Sequence, residues 1–237
     1  MERLAILVGA RGRGSNMAAL LRACADDTIP AEPLRVVVPR AGTEAAANAG
    51  KAEVAVVEPG DEYGERLVNA LTGATVVCLA GFTRLLPAEV LRAFPGRVLN
   101  VHPSLLPRHG GPGMYGLRVH EAVLAAGDRE SGCTVHLVTE QYDEGRVVLQ
   151  ARCPVLAGDT PEALAARVLE LEHRVYPEAV GLVLSTADGP SLTVAQPALD
   201  YHSALPVTPS PTVPPSARAS LQGEPSSESN QGCEVVR

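Results

Sequence analysis

Residues 75–107 read TVVCLAGFTRLLPAEVLRAFPGRVLNVHPSLLP. Two short apolar runs, Thr75 to Ala80 and Val98 to Val101, flank a helix-compatible stretch from Ala88 to Ala93. Near-continuous apolar strands joined by a helix are typical of a parallel sheet that is covered on both faces. This stretch therefore predicts a strand–helix–strand unit of an α/β fold.

The same alternation continues towards the N-terminus. The further apolar runs are rich in Val and Leu, and they are Leu4 to Val8, Leu34 to Val38 and Val54 to Val57. The helix-compatible stretches that accompany them are Asn16 to Ala25, Thr43 to Asn48 and Glu62 to Leu71. The pattern predicts a doubly wound α/β domain, with a mostly parallel sheet and helices on both faces.

Beyond residue 107 the pattern changes. Cys133 to Val138 and Val147 to Arg152 are separated by a polar loop, so we expect them to add an antiparallel pair at one edge of the sheet. A long helix is predicted over Pro161 to Leu184, with Thr160 as its N-cap. Pro177 is expected to kink or split this helix, because proline removes a backbone donor.

Composition separates a folded domain from a tail. From about residue 206 the chain is rich in Pro, Ser and Gly, and it cannot bury enough apolar surface to offset the entropy of ordering. We therefore expect one folded domain over residues 1–205 and a disordered tail over residues 206–237.

Charge and cysteine content exclude several classes of protein. The formal net charge of −7 argues against general affinity for nucleic acid or for anionic membranes. The chain opens into a strand rather than a signal peptide, and no apolar run reaches transmembrane length. The five cysteines form no Cys-x-x-Cys pair, which favours reduced thiols over disulfides or zinc. We expect a cytoplasmic protein that needs no metal.

The end of the strand at 98–101 brings an amide and an imidazole together. Asn100 and His102 are two residues apart, so their side chains point to the same face of the strand. The amide can donate to a developing oxyanion, and the imidazole can carry a proton. The pair predicts a reaction centre, with a polar pair in a solvated loop as the alternative.

A glycine-rich turn, GARGRGSN at residues 9–16, lies between the first strand and the first helix. Backbone amides in such a turn approach an anion at the positive end of a helix. The segment lacks the Gly-Lys-Ser/Thr of a Walker loop. It predicts a phosphate site, and the alternative is a tight turn in which Ser15 or Asn16 caps the helix.

Five motifs, in the same order along the chain, resemble the folate-dependent formyltransferases from about residue 3 to residue 185. They are GRGSN at 12–16, LAGFTRLL at 79–86, RVLNVHPSLLP at 97–107, YDEG at 142–145 and EHRVYP at 172–177. The resemblance implies the formyltransferase fold, with the catalytic domain over residues 1–205. It also implies transfer of a formyl group from the cosubstrate 10-formyltetrahydrofolate to the amine of glycinamide ribonucleotide in purine biosynthesis.

The resemblance further implies roles for individual residues. The catalytic residues would be Asn100, His102 and Asp143. The substrate would be held by Gly14, Ser15 and Asn16 at its phosphate and by Glu172 at its glycinamide. The folate would be held by Thr83, Arg84, Leu85, Leu86 and Asn100.

Asp143 is expected to hold the pKa of His102 above its ordinary value of about 6.5 and so keep the imidazole protonated. His136 is expected to support the active-site loop without contacting the substrates itself. Taken without the resemblance, Asp143 would be a turn former, Leu85 and Leu86 core residues, and Arg84 the partner of a carboxylate.

The chain departs from the family at several positions. Arg11 stands where Ser is common, and Gly60 stands where some members carry an arginine that contacts folate. The loop at 110–116 also differs from that of many members. These departures leave contact with the glutamate tail of the folate open.

Three other functions fit this sequence poorly. Methionyl-tRNA formyltransferase carries a C-terminal β-barrel and a basic surface, and formyltetrahydrofolate deformylase carries an N-terminal regulatory domain. A nucleotide-binding module without catalysis would lack one of Asn100, His102 and Asp143. We expect small-molecule substrates only, no nucleic acid or membrane partner, and a monomer or homodimer.

Overall fold

The computed structural model describes residues 1–10 and 13–185, together with the backbone of residues 198–199 and 234–236. Its strands are β1 (Glu2–Val8), β2 (Ala31–Val38), β3 (Glu53–Val56), β4 (Val76–Ala80), β5 (Val98–His102), β6 (Glu130–Leu137), β7 (Val147–Pro154), β8 (Ala198–Leu199) and β9 (Glu234–Val236). Its helices are α1 (Ser15–Ala25), α2 (Glu44–Ala47), α3 (Tyr63–Ala70), α4 (Ala88–Ala93), α5 (Leu117–Ala125) and α6 (Pro161–Ser185).

The strands form one sheet in the order β3-β2-β1-β4-β5-β6-β7-β9-β8. The first five strands of that order run parallel, and β6 and β7 follow antiparallel. The doubly wound, mostly parallel sheet is therefore confirmed, and so is the antiparallel pair at its edge.

Side chains alternate between two apolar cores, one on each face of the sheet. In β1, Leu4 and Ile6 pack with α1 and α6 on one face, whereas Ala5 and Leu7 pack with α3 and α4 on the other. Because both faces are covered, β4 is apolar at every position and β1 is apolar from Leu4 to Val8.

The predicted tail falls outside the described residues, apart from 234–236. These three residues pair antiparallel with β7, at Gln150 to Arg152. The disordered tail stays a prediction for the rest of 206–237.

Helix α6 begins as the sequence predicts. The hydroxyl of Thr160 accepts a hydrogen bond from the backbone N–H of Ala163 at 3.2 Å, which is an N-cap. The helix runs through Pro177 without a break, so the predicted split is wrong. The buried hydroxyl of Tyr176 contacts the carbonyl oxygens of Leu79 and Leu99, at 3.0 and 2.9 Å, and ties α6 to β4 and β5.

Helix α5 is an element that the sequence analysis missed. It follows the glycine-rich loop at 110–116, and its N-cap is Gly116, which has no side chain that could cap the helix. With no capping residue at its start and only nine residues, the helix carries little sequence signal.

The order of the strands reverses between β1 and β4, and ligands of open α/β sheets bind at the carboxyl ends of strands where this happens. Here the turns after the two strands touch. The N–H of Gly9 donates to the carbonyl of Ala80 at 3.2 Å, and a side chain at Gly9 would overlap the carbonyl oxygen of Gly81. A glycine at position 9 therefore lets the glycine-rich turn lie against the segment that begins at residue 81.

None of the helices in the described part of the chain is both long enough and apolar enough to cross a membrane.

Candidate active site

A cavity of about 440 Å³ opens at the carboxyl ends of the strands. Its walls include side chains from all five sequence motifs: Asn16, Thr83, Asn100, His102, Asp143 and Glu172. Residues that lie up to 156 positions apart along the chain are in contact here, as Asn16 and Glu172 show. The fold thus brings at least one predicted residue of each motif to the same cavity.

His102 is buried and lies between two acceptors. Its Nδ1 atom is 3.4 Å from Oδ2 of Asp143, and its Nε2 atom is 2.9 Å from the backbone carbonyl oxygen of His109. A neutral imidazole has one N–H and satisfies one acceptor, whereas the imidazolium satisfies both. The geometry therefore favours the charged form.

Burial opposes that preference. Burial lowers the pKa of His102, while the charge of Asp143 and the carbonyl of His109 raise it, and the net pKa lies below its ordinary value. The expectation that Asp143 holds this pKa above about 6.5 is therefore wrong in net direction. Asp143 raises the pKa, as predicted. The imidazole is only 4% exposed, however, and its desolvation lowers the pKa by more than one carboxylate raises it.

The carboxylate of Asp143 accepts one backbone hydrogen bond and lies beside the imidazoles of His102 and His136. Its Oδ2 atom accepts from the N–H of Gly111 at 2.9 Å, and its Oδ1 atom lies 3.6 Å from Nε2 of His136. Burial raises the pKa of Asp143, but His136, His102 and the N–H of Gly111 together hold it below its ordinary range. Asp143 also adopts a left-handed backbone conformation with φ of 57°. It is thus both a turn residue and the ionised partner of two imidazoles.

Asn100 is oriented by His136. Nδ1 of His136 lies 3.0 Å from the carbonyl oxygen of Leu137, so a neutral ring donates there and accepts at Nε2. The amide nitrogen of Asn100 lies 3.1 Å from that Nε2 atom. One N–H of Asn100 is thereby engaged, and the amide keeps a second N–H for a ligand.

The glycine-rich turn does not use a side chain to cap its helix. The N-cap of α1 is Gly14, in a left-handed conformation with φ of 80°, and no side-chain cap is present. Ser15 begins the helix, and Nδ2 of Asn16 instead donates to Oε2 of Glu172 at 2.6 Å. The capping alternative is therefore wrong, and Arg11 and Gly12 lie outside the described residues.

Glu172 is a buried carboxylate that forms no ion pair with any cation among the described residues. Burial raises its pKa to about 7, and the hydrogen bond from Asn16 opposes the rise. Oδ1 of Asn16 is buried and has no partner within the described structure. The pair thus presents acceptors to the cavity and leaves room for a ligand that donates.

The folate residues of the sequence analysis divide between two places. Arg84, Leu85 and Leu86 line a small recess together with Asn100 and Asp143, and Thr83 lines the main cavity. Leu86 is also part of the core, as the alternative had it, whereas Leu85 is 46% exposed. Arg84 forms no ion pair with any described carboxylate, so the alternative of a structural salt bridge fails.

Two histidines near the site had no predicted role. His120, on α5, lines the main cavity and is buried, and its Nδ1 atom lacks a partner among the residues described. Burial lowers its pKa to about 4. Nε2 of His109 lies 2.7 Å from Oδ2 of Asp128, which anchors the residue whose carbonyl contacts His102. Neither belongs to a predicted motif, and α5 itself had been missed.

Comparison with known proteins identifies the family. Residues 3–180 match the sequence profile of the family described as Formyl transferase. The chain belongs to this family. The resemblance stated from the sequence is thereby confirmed.

Individual relatives agree. The chain is 41% identical, over 77% of its length, to the chloroplastic phosphoribosylglycinamide formyltransferase of Arabidopsis thaliana and covers 65% of that protein. It is 38% identical, over 78% of its length, to the phosphoribosylglycinamide formyltransferase of Escherichia coli K12 and covers 87% of it. It covers only 19% of a trifunctional purine biosynthetic protein of Gallus gallus, at 38% identity over 78% of the chain. The chain thus spans less than two thirds of several of its curated relatives.

Solved structures share the fold. The glycinamide ribonucleotide transformylase 1 of Symbiobacterium toebii superposes with a TM-score of 0.71 at 39% identity, over 77% of this chain and 87% of that one. The phosphoribosylglycinamide formyltransferase of Brucella melitensis has a TM-score of 0.69 at 40% identity, over 78% and 96%.

Proposed function

We propose that this chain transfers the formyl group of 10-formyltetrahydrofolate to the amine of glycinamide ribonucleotide, giving the N2-formyl product and tetrahydrofolate. The observation that carries the proposal is the contact of His102 with Asp143 at 3.4 Å, beside an oriented Asn100, in the cavity that also contains Asn16 and Glu172. The names of the relatives from Arabidopsis and Escherichia coli support the choice of acceptor.

The acceptor fits the chemistry of Asn16 and Glu172. A glycinamide group offers N–H donors, and these two residues offer a carboxylate and the unpartnered Oδ1 of Asn16. Gly14 and Ser15, at the start of α1, would place backbone N–H groups near the phosphate. The substrate would thus lie between α1 and α6, with its amine towards His102.

The side chains that line the recess beside the cavity suit the chemistry of the donor. Apolar side chains such as Leu79 and Val138 form part of its wall, and Asn100 and Asp143 form the side that faces the cavity. A flat heteroaromatic group needs an apolar slot with a few polar atoms at its edge. When bound, the donor supplies an electrophilic formyl carbon, and Thr83, Arg84, Leu85 and Leu86 would hold its ring system.

Three side chains then do the chemistry. Asn100 donates a hydrogen bond to the formyl oxygen as negative charge develops on it. His102, in its protonated form, stabilises the same charge and gives its proton to the departing nitrogen. It regains a proton from the attacking amine, so no proton is consumed overall. Asp143 orients the imidazole and favours its charged form, and no step requires a metal.

Formyl transfer is measured with 10-formyltetrahydrofolate and either glycinamide ribonucleotide or water as acceptor. We expect formation of tetrahydrofolate that depends on glycinamide ribonucleotide, and loss of this activity in His102→Ala. Release of formate at the same rate with and without the nucleotide would instead identify a hydrolase and contradict the proposal.

We also propose that the protein acts in the cytoplasm, as a monomer or homodimer, with these small molecules as its partners. Cys24, Cys78 and Cys133 are buried, free thiols, which suits a reducing compartment. Cell fractionation and sedimentation would test compartment and assembly.

A further inference from the structure

A second groove adjoins the active site. Its volume is about 940 Å³, and it runs across the carboxyl ends of β1, β2 and β4 to the start of α5. It shares Phe82 and Arg84 with the small recess and Tyr115 with the main cavity. A ligand that occupies the recess therefore lies next to the groove.

The groove carries a concentration of positive charge. Arg40, Arg84 and Arg118 line it, and none of its described lining residues is acidic. None of the three guanidinium groups forms an ion pair within the described part of the chain. The guanidinium carbon of Arg118 lies 5.3 Å from the ring centroid of Tyr115, which holds this side chain over the groove. A cluster of positive charge with no acidic residue beside it attracts anions.

The groove also passes Gly60, which stands where the resemblance places an arginine in some members of the family. Its wall includes Pro59 and Tyr63, on either side of Gly60. The guanidinium of Arg66 lies 3.6 Å from where a Cβ atom at Gly60 would stand, and it donates to the carbonyl of Glu58 at 2.8 Å. Gly60 itself brings no charge to the groove, so the positive charge in this region comes from other residues.

We propose that Arg40 and Arg118, together with Arg84, bind the carboxylates of the glutamate tail of the formyl donor. The identity of the donor rests on the proposed function. In this arrangement two arginines from other elements, the loop after β2 and the first turn of α5, do the work of an arginine at position 60. Guanidinium groups suit carboxylates because they donate two parallel hydrogen bonds.

The substrate phosphate is the other anion that would suit such a groove, since Gly9 and Ala10 also line it. The position of the recess favours the glutamate of the formyl donor over the substrate phosphate, because Arg84 lines both the recess and the groove. Arg40 and Arg118 are thus residues that set affinity for the donor and leave the acceptor unaffected.

Binding is measured by calorimetry in the absence of glycinamide ribonucleotide. The two probes are 5-formyltetrahydrofolate and 5-formyltetrahydropteroate, which lacks the glutamate. The wild-type protein should bind the first more tightly, and salt at about 0.5 M should reduce that advantage. Each of Arg40→Gln and Arg118→Gln should weaken binding of the folate by about twofold to fivefold, and the double variant by about tenfold. Binding of the pteroate should not change, which also shows that the variants are folded.

Arg92→Gln is the matched control. Arg92 is an exposed arginine in the last turn of α4, where it pairs with Glu89 outside the groove, and its loss should alter neither affinity. In steady-state assays the double variant should raise KM for the formyl donor and leave kcat and KM for glycinamide ribonucleotide unchanged.

Equal binding of the folate by the double variant and the wild-type protein would overturn the inference. A rise in KM for glycinamide ribonucleotide alone would overturn it as well, and would assign the arginines to the phosphate. Failure of the proposed function is distinguishable, because it would abolish formyl transfer by the wild-type protein while the calorimetric difference between folate and pteroate remained.

Discussion

Nδ1 of His102 lies 3.4 Å from Oδ2 of Asp143, and the two side chains are 4% and 11% exposed. The same carboxylate reaches towards His136, whose ring in turn contacts Asn100. A single buried carboxylate therefore links the two side chains that are proposed to act on the formyl group. Burial of this pair affects the pKa of both His102 and Asp143.

Replacing His102 with alanine tests the proposed acid. We expect His102→Ala to lower kcat on the order of a hundredfold or more, as is typical when a positioned proton donor is lost. The measurement is steady-state formyl transfer, with the melting temperature recorded to show that the variant is folded. Turnover equal to that of the wild-type protein would remove His102 from the mechanism.

Replacing Asp143 with asparagine tests the link between the carboxylate and the imidazole. Asparagine tolerates the left-handed conformation at this position, so the change removes charge and leaves the turn. Without that charge the pKa of His102, already lowered by burial, should fall further, and activity should be retained best towards acidic pH. NMR titration of His102 in both proteins measures the shift. Coincident titration curves would leave Asp143 as a turn residue only.

Glu172 makes stability depend on pH in the ligand-free protein. Its pKa rises from an ordinary 4.5 to about 7 on folding, so its stabilising contribution is complete below pH 4.5 and is lost as pH rises through 7. Glu172→Gln resembles the protonated form and should lack this dependence. From denaturant unfolding between pH 4 and 8, we expect the variant to gain stability relative to the wild-type protein by about 3 kcal/mol at the alkaline end. Parallel stability curves would contradict a buried, ionisable Glu172.

Tyr176 is predicted to stabilise the strands that position the site. Tyr176→Phe leaves the carbonyls of Leu79 and Leu99 without their buried donor and should lower the free energy of unfolding by about 1–3 kcal/mol. Urea denaturation measures this. Tyr115→Phe, at a residue that is 40% exposed, is the control and should change stability by less than about 0.5 kcal/mol. Equal effects of the two changes would show that the Tyr176 hydroxyl contributes nothing specific.

Deleting residues 208–237 tests the tail. Its composition predicts that melting temperature and activity stay nearly unchanged. The pairing of residues 234–236 with β7 would instead make the deletion lower the melting temperature. A fall in melting temperature of several degrees would show that this strand stabilises the edge of the sheet.

Much of the fold could be predicted because its signals are local. The apolar runs at Leu4 to Val8 and Val98 to Val101 need only their own composition to indicate buried strands, and Thr160 announces the start of α6. The pairing of Asn100 with His102 follows from the two-residue period of a strand. Helix α5 and the unbroken course of α6 through Pro177 escaped prediction, because packing against the sheet, rather than local propensity, decides both.

The chemistry of the site depends on contacts between distant segments. Asn16 donates to Glu172 instead of capping α1, and the carbonyl oxygen of His109 contacts His102. Both contacts follow only from the way α1, α6 and the loop after β5 meet at one edge of the sheet. The direction of the His102 pKa is the clearest case. The sequence identifies Asp143 as the carboxylate that raises this pKa. Burial lowers the pKa by more than Asp143 raises it, and burial is a property of the packed protein, because desolvation depends on every segment that excludes water from the ring.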